Sequence, residues 1–279
     1  MIYKNIPRRF NLGGEMNING KTRVIAHLSY PSAHLRTPSF MNPMMQQQKR
    51  NAVLVPWQVT PENLEQVWEA LRVSESIAGV VVTIPHKISV ANLCDRLLPS
   101  AAFMQVVNVA RREPDGSFVG AMFDGEGYIR GLSNQGHAVS GRRALLIGAG
   151  GAATGVAHAL VAAGVTRLTI ANRTHAKAES LASRLNDEFG RNVAFASAAT
   201  GGDHDLIINA TSIGMHDNDP LPLDPTTLRH GALVGEVIME PDVTPLLDAA
   251  AARGCIIHKG VHMITGQIEL LTHFLLGPT

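Results

Sequence analysis

The chain has 279 residues, 45% of them hydrophobic and 17% charged, with a formal net charge of +1. That length suffices for one large or two ordinary domains with buried cores. The near-neutral balance excludes a nucleic-acid footprint, no apolar run approaches the roughly 18 residues of a membrane span, and two distant cysteines, Cys94 and Cys255, exclude a disulfide scaffold.

Free cysteines suit a reducing compartment. Met1 to Asn5 lack the apolar core of a signal peptide, so a cytoplasmic location is expected. No histidine adjoins a cysteine, and no metal is expected. Residues 1 to about 20 are polar and broken by Pro7, Gly13, Gly14 and Gly20, and read as an extension with little structure of its own.

A strand is expected at Val24–His27, then a turn through His34, then a segment that becomes helical towards Gln46–Gln48. Val53–Trp57 reads as a buried strand. Thr60-Pro61 carries the N-cap and first-position signals of a helix, and Leu64, Val67, Trp68 and Leu71 follow at helical spacing. Trp68 on that stripe reads as core rather than as a stacking platform. Gly79–Ile84 is short, apolar and rich in β-branched residues, the pattern of a strand buried on both faces in a parallel sheet. It leads into Pro85-His86-Lys87, so Lys87 falls just past the carboxyl end of a buried strand, the edge where open α/β sheets bind ligands. A helix through Val90 to Leu98 is expected next, then a strand at Val106–Ala110, a turn at Pro114-Asp115-Gly116 and a return strand at Phe118–Gly120. Gly125 and Gly127 flank a bend after Asp124, where the βα alternation pauses and a domain boundary is expected.

The alternation restarts at Ala144–Ile147, an apolar strand that enters Gly148-Ala149-Gly150-Gly151-Ala152-Ala153 and an Ala-rich helix. A second strand, Leu168–Ala171, runs into Asn172-Arg173-Thr174. This is the βαβ unit that holds a dinucleotide pyrophosphate. One glycine makes the turn, the next lets the backbone approach the ligand, and the third, small position lets helix and strand pack. Nucleotide-binding folds specific for NAD place an acid after the second strand. Here Arg173 stands there, with Thr174 and Lys177 behind it, which suits the 2′-phosphate of NADP rather than NAD. Thr174 reads as the N-cap of a helix marked by Ala178, Leu181 and Leu185. Further strands are expected at Asp205–Asn209, Leu233–Gly235 and Cys255–Ile257. The small, polar loop from Ala210 to Met215 lies on the same edge as the glycine turn. Thr244-Pro245 caps a helix from Leu246 to Arg253, and a C-terminal helix presents Met263, Ile264, Gln267, Leu270, Leu271 and Phe274 on one face.

These pieces together resemble the shikimate dehydrogenase family from about Gly20 onward. The specific stretches are Val82 to Lys87, Val106-Val107-Asn108, Asp124-Gly125, Gly148 to Ala153, Asn172 to Thr174, Asn209 to Met215, Pro241 to Leu247 and Gly260 to Gln267. The resemblance implies an α/β enzyme of two domains with the active site in the cleft between them. Residues 1–123 with 258–279 would bind the substrate, and residues 124–257 would form a Rossmann domain for NADP. It implies reversible hydride transfer between a ring alcohol and its ketone, with Lys87 and Asp124 as the catalytic pair. Thr83, Asn108 and Gln267 match the contacts to ring hydroxyls. Gly148, Ala149, Gly150, Gly151, Ala152, Asn172, Arg173, Thr174, Lys177, Thr211, Ser212, Val237, Gly260 and Met263 are the expected cofactor contacts.

A lysine on the alcohol oxygen can act as general base in oxidation and general acid in reduction. A carboxylate beside an ammonium favours the charged form, so Asp124 is expected to orient Lys87 rather than to activate it. The chain departs from the family where the substrate carboxylate is bound. Two serines of the His-x-x-x-Pro turn become Leu28 and Tyr30, and a tyrosine becomes Met239. Tyr30 retains a hydroxyl and is kept as a substrate contact; Ser29, Ser32 or Arg36 could rebuild the carboxylate site. Met122-Phe123 and Val81 also replace polar residues of the family. Burying a carboxylate without donors costs several kcal/mol. The expected substrate is therefore a shikimate-related cyclic polyol. The alternatives are a shikimate dehydrogenase of aromatic amino acid biosynthesis with a rebuilt carboxylate site, and a non-catalytic ligand sensor. Preserved Lys87 and Asp124 argue against the sensor. The only partner expected is a small molecule, bound by a monomer or homodimer.

Overall fold

A computed structural model describes residues 17–278 except 34 and 217. The N-terminal extension therefore lies almost wholly outside the described residues. The described chain forms two six-stranded sheets. The first contains β1 (Arg23–Ser29), β2 (Ala52–Gln58), β3 (Ile77–Val82), β4 (Arg96–Leu97), β5 (Val109–Arg112) and β6 (Phe118–Ala121), in the order β2-β1-β3-β5-β6-β4. β1 pairs in parallel with both β2 and β3, and β5 runs antiparallel to both β3 and β6.

Around this sheet lie α1 (Thr37–Gln47), α2 (Leu64–Val73), α3 (Lys87–Leu93) and α4 (Pro99–Met104). β3 is buried at every residue, as its β-branched run requires. Trp68 is fully buried in the core under α2 and stacks, tilted, on Phe118. β2 differs from the expectation: it is an edge strand, and Val55, Pro56 and Gln58 are exposed. Its apolar run fills one face only. The helix expected from Val90 to Leu98 instead starts at Lys87 and stops at Leu93, because Arg96 and Leu97 pair with β6. The strand expected from Val106 begins at Val109; Asn108 just before it still bonds through its backbone to Val82 and Ala121, and its side chain lines the cleft. Thr60 precedes a 3-10 turn, Pro61–Asn63, and its hydroxyl accepts from the Asn63 side chain rather than capping the backbone.

The second sheet contains β7 (Arg143–Ile147), β8 (Arg167–Ala171), β9 (Ala194–Ala196), β10 (Leu206–Asn209), β11 (Leu233–Glu236) and β12 (Ile256–His258). All are parallel, in the order β12-β11-β10-β7-β8-β9. This is the doubly wound Rossmann order, with its switch point between β7 and β10. β12 runs one residue beyond the expected 257. The helices are α6 (Gly151–Ala162), α7 (His175–Phe189) and α8 (Pro245–Ala252), with cores on both faces of the sheet.

The bend expected after Asp124 is a helix, α5 (Asp124–Asn134). Its glycines weaken intrinsic helicity, but they let it dock closely against α6 and α9 (Val261–Leu276). α9 in turn returns to pack on α1, β3 and β5. The pair α5–α9 thus forms the spine between the two sheets. No helix among the described residues is long and apolar enough to cross a membrane.

Candidate active site

Two adjoining cavities open at the carboxyl ends of the strands. The larger, about 880 Å³, sits over the switch point of the second sheet. Gly148, Ala149 and Gly150 line it at the end of β7. Gly148 adopts φ +119°, and a Cβ there would lie 2.8 Å from the Ala210 carbonyl oxygen, so the turn requires glycine. Gly150 is the N-cap of α6, and a Cβ built on it meets nothing within 4 Å. The open space over a helix N-terminus is what a pyrophosphate needs. Asn172, Arg173, Thr174 and Lys177 line the far wall, and Thr211 and Ser212 the near one. The Asn172 amide donates to the Thr174 carbonyl at 2.9 Å, which fixes the turn that presents Arg173. Sequence reasoning missed His175, Ser197, Ala198, Ala199 and Pro222 on the same walls. They lie on the α7 terminus and in loops, where no periodic signal marks a ligand contact. These residues fit a dinucleotide, with two cations where a 2′-phosphate would lie.

The smaller cavity, about 180 Å³, lies between the sheets. Thr83 and Asn108 line it from loops, Lys87 from α3, Asp124 from α5 and Gln267 from α9. Lys87 Nζ donates to Asp124 Oδ2 at 2.5 Å, and the two side chains are 21% and 6% exposed. The Asn108 amide donates to Asp124 Oδ1 at 2.7 Å and to Gln267 Oε1 at 3.0 Å, while its own oxygen accepts from the Phe123 backbone N–H at 2.9 Å. His86 anchors the start of α3 by donating from Nε2 to the buried Val59 carbonyl at 2.7 Å. One hydrogen-bonded chain therefore fixes the ammonium, the carboxylate and the carboxamide. It can hold a hydroxyl and pass a proton.

Ala152, Val237 and Met263, expected at the cofactor, line this cavity rather than the larger one. Gly151 begins α6 without lining either cavity, and neither does Gly260. A Cβ on Gly260 would fall 2.0 Å from the Ile238 oxygen, which accounts for its glycine by packing. Tyr30 is 44% exposed and does not line the cavity. Ser29 is fully buried away from it, and Ser32 donates to Gln58 Oε1 at 3.2 Å. Arg36 and Thr37 do line it, beside an apolar wall of Leu35, Val81, Met239, Ile264 and Leu271.

A buried network lies behind Thr211 of the larger cavity. Asn209 Nδ2 donates to both oxygens of Glu236, at 3.0 and 3.1 Å, and Thr244 Oγ1 donates to Oε1 at 2.8 Å. The Asn209 oxygen accepts from the backbone N–H and hydroxyl of Thr211, at 3.1 and 2.7 Å. Burial pushes the Glu236 carboxyl up to about 7, against the lowering effect of Asn209 and Thr244. His258 and His262 are four residues apart but stand on β12 and α9, with ring centroids 4.9 Å apart. No group among the described residues could hold a metal ion.

Comparison with known proteins gives two family matches: the shikimate dehydrogenase substrate binding domain over residues 28–110, and shikimate / quinate 5-dehydrogenase over residues 132–215. The shikimate dehydrogenase (NADP(+)) of Rubrobacter xylanophilus is 37% identical over 257 residues, covering 91% of this chain and 88% of that one. The crystal structure of a shikimate dehydrogenase in complex with NADP+ matches at a TM-score of 0.86 with 32% identity, over 94% of this chain and 92% of that one. The ligand-free 5-ketofructose reductase of a Gluconobacter species matches at 0.84 with 28% identity, over 94% and 95%.

Proposed function

Because the chain belongs to the shikimate dehydrogenase family, we propose that it is an NADP-dependent oxidoreductase interconverting a ring alcohol, shikimate or a related cyclic polyol, and its ketone. The observation that carries this reading is the Lys87–Asp124–Asn108–Gln267 network, built into the cavity that adjoins the dinucleotide cleft. In this reading residues up to 123 with 258–279 make the substrate side and residues 124–257 the dinucleotide side. Arg173 and Lys177 would hold the 2′-phosphate, and α6 would face the pyrophosphate with Gly150 at its N-terminus.

The cofactor, when bound, would supply the hydride acceptor in oxidation as NADP+ and the hydride donor in reduction as NADPH. The remaining work belongs to the chain. Thr83, Asn108 and Gln267 hold ring hydroxyls beside the ammonium. In reduction Lys87 donates its proton to the carbonyl oxygen as hydride arrives at carbon; oxidation takes the same path in reverse. Asp124 keeps Nζ aimed at that oxygen and balances its charge. The apolar wall around Met239 and Met263 excludes water from the transfer.

The test follows nicotinamide absorbance with purified protein, NADP or NAD, and a panel led by shikimate and quinate. The expected result is NADP reduction by a ring polyol, with NAD used poorly. Turnover of open-chain polyols alone would reassign the substrate, and no turnover with any alcohol would remove the enzymatic reading.

A further inference from the structure

We infer that Arg36 reads an anionic group on the substrate, and that Glu240 occupies its guanidinium until that anion arrives. This inference rests on the cavity between the sheets being the substrate site.

Three of the side chains lining that cavity belong to residue types charged at neutral pH: Arg36, Lys87 and Asp124. Lys87 and Asp124 are committed to each other at 2.5 Å, and Asp124 is further bound by Asn108. Arg36 has no part in that chain, so the proton-transfer chemistry does not account for it. Its ion-pair partner is Glu240, 204 residues later in the sequence, in the loop that follows β11 on the opposite side of the cleft. Nη1 donates to Glu240 Oε1 at 2.9 Å.

That contact shows the guanidinium donating to a carboxylate beside the cavity it lines. The Glu240 side chain is 77% exposed and that of Arg36 39%. An ion pair so open to water is weak and readily exchanged. A substrate carboxylate inside the cleft would be better shielded from water and could engage both guanidinium nitrogens, a stronger arrangement. Arg36 is also the N-cap residue of α1, and the Thr37 hydroxyl-bearing side chain beside it lines the same cavity. The other residues at the expected carboxylate positions offer little competition. Leu28 and Met239 have no donor, and Tyr30 does not line the cavity.

The experiment compares shikimate with its methyl ester, the same ring without the charge, by kcat/KM with NADP and by calorimetric binding to the NADP-loaded protein. Removing a charge-assisted hydrogen bond in Arg36→Gln should lower the acid-to-ester ratio about 10- to 100-fold, mainly through KM. Arg36→Lys should recover part of it. Glu240→Gln removes the competing carboxylate and should raise the ratio, with the acid KM falling. Equal loss for acid and ester in both Gln variants would overturn the inference, because the pair would then be a clasp between the two sides. An unchanged ratio in Arg36→Gln, or wild-type protein that binds no shikimate, would overturn it as well. Shikimate that binds through Arg36 without being oxidised would leave the inference standing while removing the proposed reaction.

Discussion

Alanine at Gly125 should damage this protein, whereas alanine at Gly155, its partner across the same contact, should not. A Cβ on Gly125 would lie 2.0 Å from the Gly155 carbonyl oxygen and 3.0 Å from the Ala159 Cβ. Ordinary contact needs more than 3.4 Å, so α5 and α6 would have to separate by more than an ångström. Neither obstacle is a flexible side-chain end. A Cβ on Gly155 meets nothing closer than 3.5 Å, and the position lies inside α6. Overpacking of this kind costs about 1–3 kcal/mol, a fall in Tm of roughly 2–5 °C for a chain of this size. Gly155→Ala should instead be neutral or add up to about 1 kcal/mol through helix propensity. The functional effect follows from position. Gly125 is next to Asp124, whose carboxylate holds Lys87 at 2.5 Å. Displacing a catalytic group by about 1 Å can cost on the order of 10²-fold in rate. Thermal unfolding, kcat for the best substrate and the NADP dissociation constant should be measured for both variants. Gly125→Ala should lose stability and kcat while still binding NADP. A harmless Gly125→Ala, or a Gly155→Ala equally damaging, would refute the packing argument.

Lys87→Ala should slow turnover by orders of magnitude and leave NADP binding intact, as fluorescence titration and steady-state kinetics would register; unchanged turnover would remove Lys87 from the chemistry. Arg173→Ala should weaken NADP about 10- to 100-fold with little change for NAD, and equal effects on both cofactors would make Arg173 an ordinary surface residue. Glu236 supplies a pH prediction. The folded protein keeps this carboxyl protonated up to about pH 7, while the unfolded chain releases the proton near its ordinary value of 4.5. Its contribution to stability is therefore complete below about pH 4.5 and is lost as pH rises through 7, by at most about 3 kcal/mol. His258 opposes it: burial pushes that imidazole down to about 3, so its contribution is present above pH 6.5 and lost as pH falls towards 3. Subtracting the denaturation profile of Glu236→Gln from that of the wild type isolates the carboxyl. A difference that stays flat between pH 5 and 8 would mean that Glu236 is ionised throughout.

The sequence by itself determined the Rossmann unit and its glycine turn. Those features are local. Glycine stereochemistry fixed Gly148, short continuous apolar runs marked β3 and β7, and the 3.6-residue period marked α2 and α7. Family resemblance supplied the pairing of Lys87 with Asp124, and Asn108 and Gln267 beside them, residues that no periodicity singles out. The sequence could not reveal that α5 is a helix, because its glycines argue against one until α6 and α9 are packed onto it. Nor could it choose among Ser29, Ser32, Tyr30 and Arg36 at the carboxylate end. Packing within the first sheet leaves Ser29 buried, Ser32 on Gln58 and Tyr30 in solvent, and only the docking of the two sheets brings Arg36 to the cavity opposite Glu240. The reason is one of range. Local geometry reads neighbours within a turn or a strand. Which side chains meet across a cleft depends on how whole elements seat on shared cores, and that is decided by contacts far apart in the chain.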